Sequence, residues 1–109
     1  MNLLHVGLDL HGLDGKKLVA LEGVFNDAES WMRYGAGCWV LWTDEPEQEW
    51  CDRIENAIAS NNMRFLVCKV DTRGKAGWLS KTAWDWLQDK ERLLHQQQPL
   101  PGVARERIR

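Results

Sequence analysis

The chain has 109 residues, 44% of them apolar and 28% charged, with a net charge of -2. That is the length of one domain and the composition of a globular one, which excludes intrinsic disorder over most of the chain. The near balance of charge excludes a global drive toward nucleic acid or acidic lipid, and no apolar run approaches the roughly 18 residues that would span a bilayer.

Leu3 to Leu10 alternates: Leu4, Val6, Leu8 and Leu10 point one way, His5, Gly7 and Asp9 the other. A period of two predicts a strand with one face in the core. The same run carries His5 and Asp9 and lacks a basic region before it, so it does not read as a signal peptide. His11 to Gly15 is a turn. Beyond it two readings compete. Asp14-Gly15 suits a hairpin back onto the first strand, whereas Leu18, Leu21, Phe25 and Ala28 recur at helical spacing. The helix, over about 15–27, is preferred, although Gly23 weakens it by about 1 kcal/mol.

Ser30 to Tyr34 and Cys38 to Thr43 flank Gly35-Ala36-Gly37 and predict a hairpin; the alternative is a short helix to Tyr34, capped by Asn26 or Asp27. Asp44 then opens a helix with Pro46 in its first turn and Trp50, Ile54, Ala57 and Ile58 as its buried stripe. Met63 to Val70 is a strand, with Phe65, Val67 and Lys69 on one face and Leu66, Cys68 and Val70 on the other. A polar loop follows, and Ser80 caps a last helix to about His95. Residues 1–95 form one domain; 96–109 form a basic tail expected to be mobile.

The order β-α-β-β-α-β is solved most economically by a ferredoxin-like α+β layer. This is a four-stranded antiparallel sheet with two helices on one face, here followed by a C-terminal helix. Three cysteines, Cys38, Cys51 and Cys68, are an odd number with no CxxC spacing, which argues for reduced thiols in a cytoplasmic protein and against structural zinc. Seven tryptophans are many for so small a core, so one or two are expected at a subunit or ligand interface.

Cys38-Trp39-Val40-Leu41-Trp42-Thr43-Asp44, followed by an acidic helix, resembles the strand of small bacterial and phage proteins described as SinR-like. Residues 64–70 and 78–87 extend the likeness. These proteins are similar in fold to the CRISPR-adaptation endoribonuclease family. That resemblance implies a ferredoxin-like domain, a dimer, and an aspartate at the end of the first strand near a magnesium site. Asp9 falls at that position. The interlocking C-terminal strand of the larger family is replaced here by a helix.

Asp9 is thus the candidate catalytic residue and magnesium ligand of a nuclease reading, with His5 and His11 on its side of the strand and Lys69 expected beside it. The bland alternative gives Asp9 a salt bridge to Lys69 or the capping of a turn. The sheet's open face could stack bases on His5, Phe65, Val67, Lys69 and an outward-facing Trp39 or Trp42. Charge is uneven: six acids lie between Asp44 and Glu55 against Arg53, and five bases between Arg64 and Lys81 against Asp71. Arg73, Lys75 and Lys69, with Arg105 and Arg107 of the tail, are candidate contacts for nucleic acid or a partner.

The reading that these residues favour is a small accessory protein without catalytic activity or a cofactor. It would act through a protein partner or as a homodimer. The alternative is a Mg²⁺-dependent nuclease-like protein or a nucleic-acid-binding module.

Overall fold

The computed structural model describes residues 1–59 and 63–97. The elements run β1 (Asn2–Leu8), α1 (Gly15–Phe25), β2 (Ser30–Gly35), β3 (Cys38–Thr43), α2 (Glu47–Ile58), β4 (Phe65–Lys69) and α3 (Lys81–Gln97). The protein is α+β, with one four-stranded antiparallel sheet in the order β2-β3-β1-β4. It divides into two compact units, Met1–Asp71 and Thr72–Arg109.

In the first unit the alternation of β1 works as expected. Leu4, Val6 and Leu8 turn to the helical side, where they meet Trp39 and Leu41 of β3, Leu21 and Phe25 of α1, and Trp50, Ile54 and Ile58 of α2. Each such side chain contributes about 1.5–3 kcal/mol by leaving water, so this one cluster dominates the stability of the sheet. The rings of Phe25 and Trp39 meet at 5.4 Å between centroids, tilted by 58°, an arrangement aromatic pairs favour over face-to-face stacking.

The helix preferred for residues 15–27 is present over Gly15–Phe25, two residues shorter than expected, and Asp14 caps it by accepting the Lys17 amide at 2.8 Å. The hairpin over residues 30–43 is also present. At its turn the Arg33 side chain donates to the Ala36 carbonyl, and the Leu8 amide donates to the Gly37 carbonyl at 2.8 Å. Arg33 further lies over the Trp39 ring at 5.1 Å and beside the Glu22 carboxylate at 3.8 Å. The same carboxylate accepts the Trp39 indole N–H at 3.0 Å.

One helix start differs from expectation. α2 begins at Glu47, with Pro46 as its N-cap rather than inside its first turn. The Thr43 hydroxyl explains this: it accepts the Glu45 amide at 3.1 Å, which holds residues 43–45 in a turn. α2 ends at Ala59 in the left-handed conformation, φ 50°. Arg53 on this helix grips Glu45 with both guanidinium nitrogens and lies 4.7 Å above the Trp50 ring.

In the second unit α3 begins at Lys81 after Ser80, whose hydroxyl accepts the Ala83 amide at 3.2 Å, and it reaches Gln97, two residues past the expected end. Lys75 pairs with Glu91 at 2.6 Å, and Thr72 also donates to Glu91. No described helix is long and apolar enough to cross a membrane.

Candidate functional site

Asp9 lies just past β1, exposed, at the end of the strand where the antiparallel register brings Arg64. Its carboxylate accepts the His11 amide at 3.0 Å, so it closes a local turn. The expected Asp9–Lys69 neighbourhood is corrected by the strand direction. Lys69 pairs with Leu4. Asp9 stands five residues further along, roughly 17 Å away at strand rise. Among the described residues no group of three His, Cys, Asp or Glu side chains is placed to hold a metal ion.

The expected base-stacking face is corrected too. Val6 pairs with Val67 and Leu8 with Phe65, which puts Phe65 and Val67 on the helical side, against the core. His5 pairs with Cys68 and Val40 and so occupies the opposite face. Trp39 does not point outward; it is fully buried among the core residues. Trp42 shares the face of Leu3 and His5 and is likewise buried. Trp78, by contrast, is wholly exposed. Arg73 is exposed in the second unit, where Lys75 is held by Glu91 and lies 5.7 Å from the Trp84 ring. Arg105 and Arg107 lie outside the described residues.

On the face opposite α1 and α2, His5 Nε2 and the Tyr34 hydroxyl share a hydrogen bond at 2.5 Å. Burial lowers the His5 pKa from its ordinary value and raises that of Tyr34, which a hydrogen bond with Cys38 raises further.

A groove forms where α2 runs beside β4. It encloses about 500 Å³. Its helical wall is Glu47, Gln48, Cys51 and Glu55; its floor and far wall are Met63 to Val67. The helical spacing of residues 47, 48, 51 and 55 places them on one face, which adjoins the Trp50–Ile54–Ile58 stripe that goes to the core. Burial, with Glu55 and Asp52 beside it, pushes the Cys51 thiol above its ordinary pKa.

Among the described residues β4 is an edge strand, paired with β1 alone. The Asp9 amide donates to Arg64 O at 2.9 Å and the Val70 amide to Leu3 O at 3.0 Å. Backbone groups alternate along an antiparallel ladder, so residues 64, 66, 68 and 70 face β1. The amides and carbonyls of Phe65, Val67 and Lys69 therefore face away from the sheet, beside the groove. Leu66, 64% exposed, stands next to them.

Neither the acidic helix nor the apolar strand signals this groove by itself. The run of acids between Asp44 and Glu55 was legible, but its position beside an open sheet edge depends on the strand order. The chain matches no family model, no curated protein and no solved structure.

Proposed function

We propose that the protein is a small binding module with a ferredoxin-like βαββαβ core that acts through contact with another protein rather than through catalysis. The order β2-β3-β1-β4, with α1 and α2 packed on one face, supports that core. The observation that carries the functional reading is the β4 edge: outward backbone donors and acceptors lie next to a groove with an apolar floor. Extended segments of partner proteins commonly use such an edge by adding a strand to it. The likeness of residues 38–44 and 64–87 to SinR-like proteins belongs to this proposal and is compatible with it.

The test is site-specific photocrosslinking in the cells that make the protein. A photoreactive residue at Leu66 should give discrete protein adducts; the same residue at Val19, which is somewhat more exposed on α1, should not. Absence of adducts at Leu66, or equal labelling at both positions, overturns the reading. The nuclease alternative rests on Asp9. RNA or DNA cleavage with Mg²⁺ that disappears in Asp9→Ala would replace the binding reading with that one.

A further inference from the structure

The geometry points to a particular occupant for the β4 edge: we infer that it is an extended segment of a partner in which lysine or arginine alternates with apolar residues. This rests on the reading of β4 as a docking edge and adds the chemistry of what docks.

Strand pairing fixes where each side chain of an added strand would lie. Alternate residues fall on the helical side, beside Phe65 and Val67 and under the wall that bears Glu47 and Glu55. A long basic side chain suits that place better than a short apolar one. Its methylenes cover Met63, Phe65 and Val67 while its charge reaches the carboxylates. The intervening residues fall on the other face, beside the exposed Leu66, where apolar side chains bury surface. Arg64 lines the same groove, where the two carboxylates of Glu47 and Glu55 outweigh its single charge, and Lys69, paired with Leu4, stands on the helical side at the far end of the strand, beyond the groove. The five residues of β4 accommodate a segment of about five or six residues, roughly 17–20 Å long.

Charge separates this occupant from a second copy of the chain. Pairing β4 with β4 of another copy would bring two α2 helices side by side along the seam. Each carries Glu47, Glu49, Asp52 and Glu55 against Arg53, and like charge facing like charge disfavours that partner. A basic strand meets the opposite field.

The test uses the full chain, isotopically labelled, with the blocked hexapeptide Lys-Val-Lys-Val-Lys-Val and its counterpart in which glutamate replaces lysine. The lysine peptide should slow hydrogen exchange at the amides of Phe65, Val67 and Lys69 at least tenfold, and less so at high salt. The glutamate peptide should not. Val67→Pro removes an outward donor while leaving the bonds to β1, a position where edge strands tolerate proline; it should weaken binding at least tenfold. Should that variant fold poorly, the double variant Glu47→Lys, Glu55→Lys keeps the backbone and should reverse the preference toward the glutamate peptide.

Equal response to both peptides, no response to either, or protection at other amides overturns the proposal. Slow exchange at Phe65, Val67 and Lys69 without peptide, in a chain of dimeric mass, also overturns it and gives the edge to a second copy. Adducts at Leu66 without a response to the lysine peptide would leave the docking edge standing and remove only the basic occupant; no adducts would remove the edge itself.

Discussion

The indole N–H of Trp50 donates to the hydroxyl of Thr43 at 3.3 Å, joining the first turn of α2 to the end of β3 inside the core. Thr43 is 2% exposed and Trp50 is wholly buried, so no water replaces either partner. Thr43→Val keeps the shape and removes the acceptor for both Trp50 and the Glu45 amide. Leaving a buried donor unpaired costs about 1–3 kcal/mol. Urea unfolding should show that loss in the single variant. The loss should shrink when Trp50→Phe removes the donor as well, which a double-mutant cycle measures.

Two glycines should respond to alanine with opposite signs. A Cβ on Gly37 would stand 2.1 Å from the Leu8 carbonyl oxygen, a backbone atom that cannot swing aside. Gly37→Ala therefore has to part the hairpin from β1, and overpacking of this kind costs about 1–3 kcal/mol. At Gly23, in α1, a Cβ meets nothing within 4 Å. Gly23→Ala should stabilise by about 0.5–1 kcal/mol through the lost freedom of the unfolded chain. Thermal unfolding of the two variants checks both signs.

Ala59 closes α2 at φ 50°, its amide donating to the Glu55 carbonyl at 2.8 Å. An L side chain in that conformation crowds its own carbonyl, and glycine does not. Ala59→Gly should raise stability by about 0.5–1 kcal/mol. A lower unfolding midpoint in denaturant would contradict this account of the cap.

Burial holds the His5 imidazole below its ordinary pKa of 6.5, so the folded protein binds that proton less readily than the unfolded chain. Its contribution is complete above pH 6.5. It is lost as pH falls from there through the folded value. Stability measured between pH 7.5 and 5 should therefore decline on the acid side. His5→Gln should flatten that slope, and a slope unchanged in the variant would assign it to other groups.

The local features of the fold were legible because they are written in short stretches. Alternation marked β1. The glycines at 35 and 37 marked the hairpin turn, and Asp14 marked the start of α1. What was not legible depends on register. Both faces of residues 65–70 are apolar enough to enter a core, so the strand alone does not say which one does. The pairing of Val6 with Val67 decides it, and that pairing joins residues 61 positions apart in the chain. Strand direction likewise separates Asp9 from Lys69, and the burial of Trp39 follows from the two helices that cover it. The groove was hidden for the same reason: its walls come from α2 and β4, and only the sheet order leaves their junction at an edge.

The central position of β1 has a consequence for how the chain is made. β1 leaves the ribosome before β3 and β4, which flank it in the finished sheet. Its second flank therefore stays unprotected until synthesis has passed residue 69. A nascent chain halted before that point would expose one side of an interior strand to whatever it met.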